Sequence, residues 1–86
     1  MGEKVDTLLK INIGDILKKL KDRYGLNLPE KVVMIDYDDE NGTLFIRFNH
    51  KEIVDGENID DSLVIIHYAR DEEITAIEIL DITEFL

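Results

Sequence analysis

The sequence contains no cysteine and no tryptophan, and it has only one proline. Without cysteine, the chain cannot form a disulfide, a thiolate metal site or a cysteine nucleophile. No apolar run approaches the roughly 20 residues that a membrane-spanning helix needs. Charged residues interrupt the first 17 positions, so we expect no signal peptide, no membrane partner and a cytoplasmic location.

Positive charge is scarce in the C-terminal two-thirds of the chain. The formal net charge is −10, from 10 Lys and Arg against 20 Asp and Glu. Residues 1–31 hold seven basic and five acidic residues, a net of +2, whereas residues 32–86 hold three and fifteen, a net of −12. Because an acidic surface repels phosphate, we expect no nucleic-acid partner. Divalent cations and basic proteins are the charged partners that this composition favours.

The length of 86 residues is enough for one small core, so we expect a single domain over residues 1–86. Apolar positions recur at helical spacing from Ile13 to Tyr24 and predict a helix over 13–24. Asn12 suits the N-cap, and Gly25 suits a left-handed C-cap. Residues 3–10 fit either a strand or a helical turn.

Two β-hairpins follow the helix. Asn41-Gly42, between two β-type runs in 32–49, is a strong hairpin signal. A two-residue loop there places Asp36 opposite Arg47 as a cross-strand ion pair, and alternation gives the hairpin one apolar face. Residues 63–80 form the second hairpin, centred on Asp71-Glu72. We expect a polar connection over 50–62, with a possible short strand at 52–54.

These elements predict an α+β fold, with one main helix packed on an antiparallel β-meander sheet. The predicted core combines aliphatic and aromatic positions of the helix and of both hairpins. Its members are Ile16, Leu17, Leu20, Val33, Ile35, Leu44, Ile46, Phe48, Val64, Ile66, Ile77 and Ile79.

The segment from Tyr37 to Leu80 resembles a prokaryotic family of unknown function. The resemblance rests on Tyr37-Asp38, on the runs LFIRF (44–48) and VIIHY (64–68), and on AIEIL (76–80). It implies a β-meander and a protein-binding role of the antitoxin type, in which the domain pairs with a partner protein. Glu72 stands where the family's second turn usually has Gly, so we expect that turn to be longer here.

Seven carboxylates in the two hairpin loops suggest a cation site. Clustered carboxylates at a turn supply the oxygen ligands that Ca²⁺ prefers, although an EF-hand is excluded because the loop lacks its glycine and final glutamate. We therefore predict weak Ca²⁺ binding, and the alternative is that the acids are simply solvated. The proposed metal ligands are Asp36, Asp38, Asp39, Glu40, Asp71, Glu72 and Glu73.

No enzyme motif is visible, and we expect the domain to be non-enzymatic. The sequence has no glycine-rich phosphate loop and no nucleophile with an adjacent base. His67, Glu78 and Arg47 resemble a catalytic cluster on paper, but a packed or solvated His67 is the simpler interpretation.

An apolar second face on the 63–80 hairpin suggests a different function. Leu63, Ile65, Ile74 and Leu80 are too apolar for a solvated face. Residues 1–11, the C-terminal Ile82, Phe85 and Leu86, or another chain must cover them. The alternative function is therefore a protein-interaction module, which binds a protein partner or forms a homodimer.

Overall fold

The computed structural model describes residues 12–86, so the expectations for residues 3–10 and for cover by residues 1–11 lie outside the described chain. Helix α1 spans Ile13–Tyr24, as predicted. The Asn12 side chain accepts a hydrogen bond from the Asp15 amide at 3.2 Å and caps the first turn. At the other end, Gly25 adopts φ 66° and donates its amide to the Lys21 carbonyl at 2.8 Å.

Five strands follow the helix: β1 Met34–Asp38, β2 Thr43–Arg47, β3 Asp55–Ile59, β4 Val64–Tyr68 and β5 Ile74–Ile79. They form one sheet in the order β1-β2-β5-β4-β3, and every neighbouring pair is antiparallel. Strands β3, β4 and β5 form a meander, and the β1–β2 hairpin joins it through β2 and β5. A 3₁₀ helix, Ile82–Phe85, follows β5. The predicted α+β class and antiparallel sheet are confirmed.

The first hairpin has a longer loop than the sequence predicts. Asp38 pairs with Thr43, so the loop is the four residues 39–42 rather than Asn41-Gly42 alone. The partner of Asp36 is therefore Phe45, and the predicted opposition of Asp36 and Arg47 is wrong. Because the register is displaced by two residues, each side chain keeps the face that alternation gives it.

The second hairpin has the predicted pairing of Val64 with Ile79 and of Ile66 with Ile77. Its turn contains three residues, since the Ala69 amide donates to the Glu73 carbonyl at 2.9 Å. Glu72 takes the left-handed conformation, with φ 69°, at the position where glycine is usual. The turn is thus longer, as the resemblance implies, although no glycine is needed.

Strand β3 lies three residues beyond the short strand expected at 52–54. Its sequence, DGENI, is poor in β-forming residues, and the strand exists because it pairs along its full length with β4. The β3–β4 loop turns sharply through positive φ angles at Asp60, Asp61 and Ser62.

One face of the sheet, here called the aliphatic face, is buried. Its central side chains are at most 1% exposed; they are Leu44, Ile46, Val64, Ile66, Ile77 and Ile79. Ile16, Leu20 and Phe48 of the predicted core are also buried. Ile35 is instead 46% exposed, because β1 is an edge strand with a neighbour on one side only. Val33 and Leu17 are half-buried.

Buried residues outside the predicted core include Leu28, Ala69, Ala76, Ile82 and Phe85. The described residues divide into two compact units, residues 12–28 with 83–86 and Pro29–Ile82. In the first unit, the Phe85 ring lies 6.5 Å from the Tyr24 ring, and the Lys19 ammonium donates to the Phe85 carbonyl at 2.9 Å. In the second, the Ile82 amide donates to the Gly42 carbonyl at 2.8 Å.

Within residues 12–86, no helix is both long and apolar enough to cross a membrane.

Candidate functional site

The two acidic loops lie at opposite ends of the sheet. The β1–β2 loop follows Asp38 and lies near the end of β5, because Leu44 pairs with Ile79. The β4–β5 loop lies beyond the other end of β5, which begins at Ile74. Five residue steps along a strand correspond to roughly 16 Å. The seven predicted ligands are therefore separated into two groups.

In the first loop, the Asp38 carboxylate organises the turn. It accepts hydrogen bonds from the Glu40 amide at 3.0 Å, from the Asn41 amide at 3.4 Å and from the Asn41 side-chain nitrogen at 2.8 Å. The Asn41 side chain first, and then these amides, lower the pKa of Asp38. Asp38 is thus a structural acceptor, while Asp39 and Glu40 are exposed.

In the second loop, a lysine already occupies the place expected for a cation. The Lys51 ammonium lies 2.6 Å from the Asp71 carboxylate and 2.5 Å from the Glu73 carboxylate. This contact is the main cause that lowers the pKa of Asp71, and Asp71 followed by Glu73 raises the pKa of Lys51. Glu72 is exposed beside them.

Among residues 12–86, no group of three or more His, Asp or Glu side chains is arranged to hold a metal ion. Ca²⁺ binding therefore stays a prediction, and the group formed by Asp71, Glu72 and Glu73 cannot join the group formed by Asp36, Asp38, Asp39 and Glu40.

The opposite face of the sheet, here called the mixed face, combines apolar, aromatic and charged side chains. Its central rows are Arg47, Ala76, His67 and Gly56, and Asp36, Phe45, Glu78, Ile65 and Asn58, each written in the order of the strands. Phe45, Ile65 and His67 are half-buried, and Ala76 is fully buried.

Two aromatic rings meet across strand β5 on the mixed face. The Phe45 and His67 rings lie with their centroids 5.7 Å apart at an angle of 57°, although their strands are not neighbours. Ala76 lies in the intervening strand, directly paired with His67, and its small side chain leaves room for the rings. His67 Nε2 is 3.4 Å from a carboxylate oxygen of Glu78.

These side chains border an open pocket on the mixed face, here called the Phe45 pocket. Its lining residues are Asp36, Asp38, Thr43, Phe45, His67 and Glu78. Among the residues that the structure describes, no Lys or Arg forms an ion pair with its three carboxylates. Arg47 on the same face donates instead to the carbonyls of Asn49 and Lys51. The pocket is therefore acidic and carries an aromatic wall.

A second pocket lies at the β3 edge of the sheet, where the Tyr68 hydroxyl donates to the Glu57 carboxylate at 3.0 Å. Burial, with a smaller contribution from Glu57, raises the pKa of Tyr68. The tyrosine stays neutral at physiological pH and supplies no charged group to this pocket.

Sequence reasoning selected the loops and missed the Phe45 pocket. Alternation alone places Phe45 with Asp36, and His67 with Ala76, on outward faces. The missing information was the pairing of β2 with β5, a contact between distant segments for which the sequence carries no local signal.

No curated protein and no solved structure gives a significant match to this chain. The family model described as "Protein of unknown function (DUF2283)" matches residues 34–82, which is more than half of the chain and includes all five strands. The match confirms the resemblance predicted over 37–80. This chain therefore belongs to the DUF2283 family of proteins of unknown function.

Proposed function

We propose that this domain is a non-catalytic protein-interaction module, which binds a basic segment of a partner protein on the mixed face of its sheet. The observation that carries the proposal is the contrast between the two faces. The aliphatic face buries its central side chains completely, whereas Phe45, Ile65 and His67 on the mixed face keep part of their surface in contact with solvent.

Apolar surface on the mixed face gives a partner something to bury. Ile65 and Phe45 are half-buried, and Leu80, which follows β5, is 38% exposed. An interface needs such a core, because burial of apolar surface is the main source of affinity. The mixed face therefore supplies the apolar centre, and the surrounding acids supply selectivity.

The charge of the sheet selects the partner. Residues 32–86 carry a net charge of −12, and the two described cations nearest the mixed face already have partners, since Arg47 binds main-chain carbonyls and Lys51 binds two carboxylates. Such a surface attracts a basic partner and repels an acidic one, including a second copy of the sheet.

Affinity selection from a displayed library of random peptides tests this function, with the full chain as the immobilised target. We expect selected peptides to be enriched in Lys and Arg and to contain at least one large apolar residue. Their affinity should fall as salt rises, because the interaction is partly electrostatic.

A pair of variants locates the binding surface. Ile65→Lys places a charge at the centre of the mixed face, and Val54→Lys adds the same charge at an exposed position just before β3. We expect the first variant to lose at least tenfold in peptide affinity and the second to bind within twofold of wild type. Amide spectra of both variants verify the fold.

Equal loss in both variants, or peptides without basic residues, would contradict the proposal. A homodimer formed through the mixed face would contradict it as well. Sedimentation equilibrium of the wild type and of Ile65→Lys detects such a dimer.

A further inference from the structure

We propose that the Phe45 pocket receives an arginine side chain of the bound partner, a step that rests on the proposed function. The pocket offers the two surfaces that a guanidinium group recognises. One is the face of an aromatic ring, and the other is a set of carboxylate oxygens.

The aromatic surface comes from Phe45, which is half-buried on β2. Its ring is held by the His67 ring at a centroid distance of 5.7 Å. A planar guanidinium stacks on such a ring through cation–π attraction, and the arginine stem covers the adjoining apolar surface. Because the ring is already fixed by its neighbour, little side-chain entropy is lost when a ligand binds.

The carboxylates surround the ring on neighbouring strands. Asp36 pairs directly with Phe45 across β1 and β2, and Glu78 pairs with Phe45 on the other side. A single aromatic residue is thus placed between two carboxylates at one register position. A guanidinium that stacks on the ring can therefore donate hydrogen bonds towards both neighbouring strands.

Existing contacts leave acceptor capacity in the pocket. His67 contacts one oxygen of Glu78, Oε1, at 3.4 Å. Asp36 forms no ion pair with any Lys or Arg of residues 12–86. A carboxylate has about four acceptor positions, so each of these groups can still accept from a guanidinium.

Charge and shape together favour arginine over the other candidates. A neutral side chain would leave the three carboxylates uncompensated, and a compact ammonium would stack less well on the ring. Arginine supplies both a delocalised cation and a rigid fork of donors that matches carboxylate geometry.

The test is an amide-shift titration of the full chain with N-acetyl-arginine amide. N-acetyl-citrulline amide, which has nearly the same shape without the charge, and sodium chloride at matched ionic strength are the controls. We expect saturable shifts centred on Asp36, Phe45 and Glu78 with the arginine compound alone. One side chain binds weakly, so the dissociation constant should be on the order of 10⁻³ M.

Variants separate the ring from the charges. Phe45→Leu keeps an apolar side chain but removes the aromatic face, and Glu78→Gln keeps the shape but removes one charge. We expect each to weaken arginine binding at least threefold. Asp61→Asn, which removes the same charge in the β3–β4 loop, should leave binding within the error of wild type.

The outcomes distinguish this inference from the proposed function. If citrulline and arginine compounds shift the same amides equally, or if shifts spread evenly over all acidic loops, the arginine pocket is wrong. If the selected peptides also keep full affinity for Phe45→Leu while Ile65→Lys abolishes binding, the interaction module stands and only the pocket assignment fails. If neither variant affects the peptides, both proposals fail.

Discussion

The two faces of the sheet use the same strands for different purposes. On the aliphatic face, Ile46 and Ile77 are neighbours that exclude water completely, as core side chains do. On the mixed face, Phe45 and Glu78 occupy the adjacent register position and stay partly exposed. Each strand thus alternates between a residue that stabilises the fold and a residue that is available to a partner. Stability and binding should therefore respond to different substitutions.

The largest expected effect separates the faces by stability. Ile46→Ala should lower the free energy of unfolding by about 2–5 kcal/mol, because it opens a cavity in the buried core. Ile65→Ala, on the half-buried mixed face, should cost only about 1 kcal/mol, since less apolar surface is lost. Chemical denaturation measures both values. Equal costs at the two positions would break the comparison.

Ala76 tests the packing of the mixed face itself. It is fully buried between the strands that carry Phe45 and His67, so Ala76→Leu should force the two rings apart. We expect a loss of about 1–3 kcal/mol from overpacking. The variant should also weaken basic peptides, and calorimetric titration measures that loss. A fully stable variant with unchanged affinity would show that the rings do not depend on this alanine.

Acid titration sharpens the contrast, because the buried side chains of the aliphatic face carry no ionisable group. Asn41 and the loop amides lower the pKa of Asp38 in the folded state. A lowered pKa contributes stability that is present above the unfolded value, near pH 3.9, and is lost as the pH falls through the folded value. The Asp38→Asn variant should therefore show a flatter melting temperature between about pH 5 and 2 than wild type.

Asp71, whose pKa is lowered mainly by Lys51, loses stability in the same acidic direction and serves as the comparison loop. Asp71→Asn should flatten the acidic side of the same profile without changing the binding of basic peptides. A profile that is unchanged in both variants would contradict the assigned roles of these carboxylates.

The smallest expected effect is on Ca²⁺ titration. Because the loops lie at opposite ends of the sheet, only the group around Asp36 and Asp38 can act together, and we expect a dissociation constant no better than about 10⁻³ M. Amide shifts, compared with sodium chloride at matched ionic strength, measure it. Tight binding that also shifts Asp71 and Glu73 would contradict the separation of the loops.

Local signals in the sequence predicted much of the fold. The period of the apolar residues, with Asn12 and Gly25 as caps, determined the limits of α1. Alternation placed Leu44, Ile46, Ile66 and Ile77 on the buried face even though the first loop is two residues longer than predicted. An even displacement of register preserves the faces, which is why the core survived a wrong turn.

Non-local contacts account for what the sequence did not reveal. The composition of β3 is polar, and only its pairing with β4 makes it a strand. The acids of the loops were conspicuous in the sequence, but Asp38 is used by its own turn and Asp71 by Lys51. The pairing of β2 with β5, which brings Phe45 beside Glu78, could not be derived from either hairpin alone.

The exposure of the mixed face in the full chain is the central claim, and solvent paramagnetic relaxation measures it directly. A neutral gadolinium chelate broadens the signals of methyl groups that meet solvent. We expect strong broadening of the Ile65 methyls and little change at Ile46 and Ile66, which are at most 1% exposed. If Ile65 is as protected as Ile66, the mixed face is covered in solution, and both the interaction surface and its arginine pocket are contradicted.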